Sequence, residues 1–240
     1  VHRYDIAHGR YDCLGLSGDA ALPSPVGLAL TPSGRLYVAD SLLGGIYRID
    51  PDERFLQPFV SGAGLERPTG IAWHEAAGLL LVSDTGSQSV KAYRPDGSFA
   101  FQFASRGVGP GEFNFPTYLW ADNHELLVTD SLNFRVQRFD AQGVFRASFG
   151  KNGDRAGDFA RPKGVAVDSE GHVYVVDALF NGVQVFDREG RLLLLFGERG
   201  QEPGQFWLPN GLFITADDLI FVADSYNRRI QVFRYLGSAS

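Results

Sequence analysis

Short apolar runs separated by turn residues recur along the whole chain. Five of them end on an aspartate: Leu36–Asp40 (LYVAD), Leu80–Asp84 (LLVSD), Leu126–Asp130 (LLVTD), Val173–Asp177 (VYVVD) and Ile220–Asp224 (IFVAD). The aspartates stand 44, 46, 47 and 47 residues apart. Each run follows a proline-led segment, at Pro25, Pro68, Pro116, Pro162 and Pro209, and precedes a stretch such as Val136–Phe139 (VQRF), Val183–Phe186 (VQVF) or Ile230–Phe233 (IQVF). A further apolar stretch closes most units, as at Phe99–Phe103 and Leu192–Phe196. Four short strands per unit are therefore predicted. Pro32 to Gly34, Asp96-Gly97, Gln142-Gly143, Glu170-Gly171 and Glu189-Gly190 mark the hairpins between them. The first two strands of a unit are almost continuously apolar, as expected when both faces are covered. The third alternates, so one face is expected in water. No amphipathic helix is evident.

A period of 44 to 47 residues with four strands per unit predicts an all-β fold, a β-propeller of four-stranded antiparallel blades. One domain is expected over residues 1–240, with blades starting near 25, 68, 116, 162 and 209 and residues 1–15 forming a partial blade. Val1–Asp5 aligns with Val183–Asp187, so the chain opens within a third strand and continues through Leu14 as a fourth. It closes after a third strand, Ile230–Phe233. The tally is about 21 strands: two, then four blades of four, then three. Six blades need about three more, expected ahead of Val1, whereas five close if Gly9–Leu14 serves as the outer strand of the last blade.

Two units carry a sharper pattern: Asp130, Asn133, Arg135 and Gln137 in one, and Asp224, Asn227, Arg229 and Gln231 in the other. With the linker Phe196–Pro209, they resemble the NHL repeat, and the resemblance extends over essentially the whole chain. It implies a propeller that usually has six blades. Members of that family include protein-interaction modules, receptor-kinase sensor domains, single-stranded RNA binders and a metal-dependent peptide-amidating lyase. Asp40–Gly45 and Asp84–Ser89 lack the Asn and the Arg, while Asp177–Asn181 is read as keeping the Asn and losing the Arg. Many bacterial relatives are exported, and the resemblance favours a periplasmic or extracellular site. The chain begins at Val1 and holds no Met, which reads as a processed or truncated product.

Composition narrows the function. Lys and Arg number 22 against 28 Asp and Glu, a net charge of −6, which argues against a broad nucleic-acid footprint. The single cysteine, Cys13, excludes an internal disulfide and a cysteine-rich metal site, and reads as a buried or half-buried structural thiol. No apolar window is long enough to span a membrane. His74, His124 and His172 fall at the first hairpin of three different blades, where exposure is the expectation and convergence on one metal is not. No Gly-x-Ser-x-Gly elbow appears, and the Gly107–Gly111 stretch lacks the Lys-Ser/Thr of a phosphate loop. No catalytic residue, metal or cofactor is expected.

Asp40, Asp84, Asp130, Asp177 and Asp224 recur once per blade, and a structural role repeats with the repeat. They are expected to accept backbone hydrogen bonds across the turns that follow. The loops between second and third strands are instead unusual for their large apolar residues: Leu42, Leu43, Leu132, Phe134, Leu179, Phe180 and Tyr226. Either they fold back onto their blades, or they form an apolar patch that docks a partner protein. Asn114, Phe115, Lys163, Trp207 and Asn210 would border such a patch at the channel mouth. The expected function is non-catalytic protein binding or scaffolding, as a subunit or sensor of a larger assembly. A metal-dependent lyase or hydrolase, a small-ligand binder and a single-stranded RNA binder are the alternatives. For the last, Arg135, Arg138, Arg228, Arg229 and Arg234 supply local positive charge on two blades.

Overall fold

The structure is a computed structural model that describes residues 1–5, 8–16, 21–53, 55–60 and 64–236. Strands β1 (His2–Asp5) and β2 (Arg10–Cys13) form a two-stranded sheet, and β3 (Gly15–Leu16) follows. The first blade holds β4 (Pro25–Leu30), β5 (Leu36–Asp40), β6 (Gly45–Ile49) and β7 (Phe55–Val60), with β3 parallel to its outer edge. The second holds β8 (Pro68–His74), β9 (Leu79–Asp84), β10 (Ser89–Tyr93) and β11 (Phe99–Phe103). The third holds β12 (Pro116–Ala121), β13 (Glu125–Asp130), β14 (Arg135–Asp140) and β15 (Phe145–Phe149). The fourth holds β16 (Pro162–Val167), β17 (Val173–Asp177), β18 (Gly182–Phe186) and β19 (Leu192–Phe196). The fifth has three strands, β20 (Leu212–Ile214), β21 (Leu219–Asp224) and β22 (Arg229–Arg234).

Within each blade the strands pair antiparallel in chain order. The innermost strands β4, β8, β12, β16 and β20 touch in succession and together line one cavity of about 750 Å³. Blades arranged radially about a shared channel are a β-propeller. The hairpin turns are built as the residues demand: Gly34, Gly97, Gly143, Gly171 and Gly190 all adopt positive φ.

The inner strands crowd because glycine lets them. A Cβ on Gly70 would lie 2.5 Å from the carbonyl oxygen of Thr117, and one on Gly164 would lie 2.6 Å from the amide of Leu212. The third blade departs from this, with Tyr118 at the matching position. Burial pushes its phenol up to about 12.

The core lies between blades. Phe113, Phe159 and Phe206 sit in the linkers, fully buried, and pack on Phe139, Phe186 and Phe233 at centroid distances of 5.5, 5.6 and 5.9 Å. Each buried ring contributes about 1.5–3 kcal/mol relative to exposure. The linkers are therefore part of the core.

That arrangement overturns, in every blade but the fifth, the expectation that third strands keep one face wet; β22 alternates, with Ile230 and Val232 exposed. Strands β10 and β18 are buried along their whole length. The linker passes over the third strand, and the polar residue in the middle of that strand is spent on it. Gln137 accepts from the Gly111 amide at 3.0 Å and donates to the Glu112 carbonyl at 2.7 Å. Gln184 pairs in the same way with Gly157 and Asp158, and Gln231 with Gly204 and Gln205. Fourth strands are the wet ones, with Leu193 and Leu194 of β19 exposed.

Three further expectations change. Strand β2 pairs with β1 and not with the fifth blade, so Gly9–Leu14 does not close a five-bladed ring. Cys13 is exposed, because β1 and β2 form only a two-stranded sheet that leaves β2 uncovered, while its neighbour Leu14 packs on Val38 and Leu56. His74 is buried: its Nδ1 accepts the Ala77 amide at 3.1 Å, so the ring folds back over its own hairpin.

Substituting Gly70→Ala is expected to lower stability by about 1–3 kcal/mol, since the contact is with backbone that cannot swing away. Gly15→Ala, with open space around it, is expected to be near neutral. Urea unfolding of both variants checks the pair.

Candidate functional site

One face of the disc is built from the turns between second and third strands together with the blade-to-blade linkers. The anchor of each turn is the aspartate that ends the second strand. All five carboxylates are fully buried. Asp40 accepts the amides of Ser24, Leu42 and Leu43 at 2.8–3.0 Å. Asp177 accepts those of Ala160, Arg161, Leu179 and Phe180. One carboxylate thus ties a linker to a turn.

In three blades the cluster also contains a cation. Asp130 accepts from Asn133 Nδ2, Arg135 Nε and Gln137 Nε2 at 2.8, 2.9 and 3.1 Å, and Asp224 repeats this with Asn227, Arg229 and Gln231. The remaining donors of Arg135 go to the carbonyls of Val108, Gly109 and Glu112. Those of Arg229 go to Gln201, Glu202 and Gln205. In the second blade Lys91 Nζ takes the cationic place, 2.5 Å from Asp84.

The electrostatics differ between these clusters. Burial alone would raise the Asp84 carboxyl, but Lys91, the Arg67 and Glu66 amides and Ser87 outweigh it and hold Asp84 below its usual value. Asp224 is likewise held down, by the Trp207 amide, Asn227 and Arg229 against the effect of burial. At Asp130 burial wins over Asn114, Asn133 and Arg135, and the carboxyl is raised. The partner sets match. The surroundings do not, because Asp130 lies between two flanking blades and Asp224 stands in a blade whose far side is open.

The turns share a geometry that shows where each side chain goes. The fourth residue after the aspartate is left-handed in every blade: Gly44, Gln88, Phe134, Asn181 and Arg228, with φ between 53° and 62°. Asn181 therefore does not occupy the position of Asn133 and Asn227, which is the third after the aspartate; Phe180 does. The Asn181 carboxamide accepts the Leu208 amide at 3.0 Å, as Gln88 accepts that of Phe115 in the second blade. The chain retains φ > 0 there with Asn where glycine would be easier.

The residue two after the aspartate points outward. Leu42, Leu132, Leu179 and Tyr226 occupy this position and are 73, 52, 55 and 62% exposed. Leu43 is exposed too, whereas Phe134 and Phe180 are half-buried, Phe134 against the cluster around Val136 and Phe159. The second blade has Gly86, where a Cβ would meet the Glu66 side chain at 2.5 Å. Leu132 donates its amide to the Asn114 carbonyl, and Tyr226 donates its amide to the Trp207 carbonyl with its ring 5.5 Å from the indole. The turns and linkers thus form a hydrogen-bonded belt. Cations lie over its aromatics: Arg67 over Phe115 at 5.5 Å and Arg199 over Trp207 at 5.8 Å. Asn114, Phe115, Lys163 and Trp207 are half-buried and Asn210 is exposed. Burial and the neighbouring Arg161 lower the Lys163 ammonium. The positive-φ turn position and the linker cations were not singled out from the sequence; the fixed offset from each aspartate is the signal that carries the first.

Among the described residues, no group of three or more His, Cys, Asp or Glu is placed to hold a metal ion. His172 Nδ1 lies 2.9 Å from Asp168, and His124 is exposed in a different blade. Among the described residues, no helix is long and apolar enough to cross a membrane.

The NHL repeat family model matches residues 159–186 and 206–233. The fourth and fifth blades of this β-propeller thus carry NHL repeats. It is similar to peptidylglycine alpha-amidating monooxygenase of Rattus norvegicus, at 28% identity over 163 residues, or 59% of this chain and 17% of that protein. It is also similar to the protein brain tumor of Drosophila melanogaster, at 28% identity over 112 residues, or 45% of this chain and 10% of that protein. The chain thus matches less than a fifth of the length of these curated relatives. Among solved structures it resembles a streptogramin B lyase with a TM-score of 0.67, 12% identity, 99% of this chain and 76% of that chain covered. A virginiamycin B lyase of Staphylococcus aureus gives 0.65, 15%, 99% and 78%. At such identities the likeness is one of fold.

Lys91→Met leaves Asp84 buried without its cation and is expected to destabilise by about 3–5 kcal/mol. The folded Asp84 carboxyl lies below its unfolded value, so its contribution is complete above about pH 4 and is lost as pH falls through the lower folded value. Urea midpoints between pH 2 and 7 are expected to show this acid limb in the native chain and a weaker one in the variant.

Proposed function

We propose that this propeller is a non-catalytic binding module that docks a partner protein, as a subunit or sensor of a larger assembly, through the belt of turns and linkers. The observation that carries the reading is the repeated outward apolar residue. Four blades present Leu42, Leu132, Leu179 and Tyr226 outward from these turns, and exposing such side chains to water costs free energy that a partner would recover. Apolar, aromatic and arginine side chains are what interface centres are made of. Trp207, Phe115, Arg67 and Arg199 supply the aromatic and arginine parts.

Single-stranded RNA is less well supported. Arg135 and Arg229, the cations that recur with the repeat, spend their donors on carboxylates and linker carbonyls. A small-ligand role has one observation in its favour, the cavity at the opposite end of the channel. Trp73, Trp120, Ile71 and Leu119 line it with Glu75 and Asp122, which suits an apolar ligand that is neutral or cationic.

Leu132→Asp combined with Leu179→Asp is expected to cut recovery of the bound partner at least tenfold in affinity capture, with the circular dichroism spectrum unchanged. Leu193→Asp, on the outer rim, is expected to leave recovery intact. Equal recovery by the folded double variant and the native chain defeats the reading.

A further inference from the structure

The residue after the proline that opens each inner strand stands at the belt end of the channel. It is Val26, Thr69, Thr117, Lys163 and Asn210 in the five blades. In the second and third blades its hydroxyl pairs with the hydroxyl that follows the strand-end aspartate, Thr69 with Thr85 at 2.8 Å and Thr117 with Ser131 at 2.6 Å. Thr85 and Ser131 then donate to the carbonyls of Pro116 and Pro162 in the next blade, at 2.6 and 3.1 Å. Neutral groups that bond one another are thus all the fold requires here. The fourth blade departs from this, with Lys163 and Ala178 in the two places.

Lys163 is half-buried, and its ammonium makes no hydrogen bond or ion pair among the described residues. Burial and the Arg161 guanidinium both push it down, and no acid offsets them. Arg161 and Arg67 stand directly before the prolines of the fourth and second blades and are exposed. Their guanidiniums also lack an ion pair among the described residues, although Arg67 lies over the Phe115 ring. The carboxylates nearest in the fold are already committed. Asp177 accepts the amides of Ala160, Arg161, Leu179 and Phe180, and Asp84 is filled by Glu66, Arg67, Ser87 and Lys91. The Glu66 side chain lies against Gly86. A half-buried ammonium beside a guanidinium, with no counter-ion, costs free energy that an incoming anion recovers.

We infer that the channel mouth receives an acidic segment of the partner protein, whose carboxylate pairs with Lys163, Arg161 and Arg67 while flanking apolar residues rest on Leu132 and Leu179. The inference rests on the docking role argued for the belt and names the chemistry of what docks. Both kinds of contact are available together, because Asp177 accepts the amides of Arg161 and Leu179 at once, so a cation and an outward leucine leave the same anchor. A charge-assisted hydrogen bond to the ammonium is stronger than one between neutral groups, and it fixes the register of the segment. A short segment with one or two carboxylates meets only this local field. A nucleic acid meets the whole chain, whose net charge is −6 and which repels a polyanion.

The probe is a phage-displayed library of random linear peptides selected on the full chain. Recovered peptides are expected to share an Asp or Glu flanked by apolar residues. A fluorescein-labelled synthetic peptide of that consensus is expected to bind the Lys163→Met variant at least about tenfold more weakly, and Lys163→Arg nearly as well as the native chain. Replacing the peptide's acid by its amide is expected to weaken binding to the native chain equally and to leave Lys163→Met without further effect. Lys163→Met breaks no hydrogen bond or ion pair among the described residues, so its Tm is expected to stay at or above the native value. Apolar peptides without an acid, bound equally by Lys163→Met, overturn the inference and leave the belt as a docking surface. Acidic peptides that still bind Leu132→Asp with Leu179→Asp uphold the carboxylate site and defeat the belt. Recovery of no peptide overturns both. So does an oligouridylate that binds through Lys163 where acidic peptides do not.

Discussion

A buried carboxylate at the end of each second strand is the contact on which this architecture turns. Removing a charge from water is costly unless every lone pair finds a donor. Here the donors are amides from two places in the chain, the linker that enters the blade and the turn that follows the aspartate. Satisfying the charge therefore fixes both at once. Asp177 does it with amides alone, and Asp130 and Asp224 recruit Asn, Arg and Gln. The linker, held in this way, carries Phe113, Phe159 or Phe206 over the third strand and turns the space between blades into core.

Because the aspartate and the left-handed fourth residue hold the turn, the side chain of the second residue after the aspartate is free of structural duty in the first, third and fourth blades. That freedom makes the outward position informative. A side chain that the fold does not need can answer to something outside it, and four blades place a leucine or tyrosine there. The second blade shows the limit: Gly86 lies too close to Glu66 for any side chain. The same logic separates the arginines. Arg135 and Arg229 belong to the clamp, while Arg67 and Arg199 stack on half-buried linker aromatics and belong to the surface.

The radial plan also sets what an incomplete ring must expose. Each blade has two apolar faces, one for each neighbour, and each third strand has an edge for a fourth. Where neighbours exist, valines such as Val165 and Val183 vanish from solvent. Where the ring is interrupted, Leu28 and Ile230 do not. The wet apolar residues at the gap and those on the belt thus have different origins. The former are interior residues lacking a neighbour, and the latter are turn residues that point outward among neighbours.

Much of this was legible in the chain itself. The recurrence of the aspartates gave the blades, and Gly34, Gly97, Gly143, Gly171 and Gly190 marked hairpins, because those features depend on local geometry that a few neighbouring residues dictate. The apolar turn residues were visible for the same reason. Tertiary structure decided the rest. Whether a third strand is wet depends on a linker arriving from some 25 residues away, as Gln137 and Gln184 show. Whether Asn181 copies Asn133 depends on its φ and on the Leu208 amide, and composition gives no hint of either. The exposure of Cys13 follows from what stands beside β2, which pairs with β1 alone among the described strands. Short-range patterns specify strands and turns because backbone sterics act locally; packing between blades is settled only when distant segments compete for the same surface.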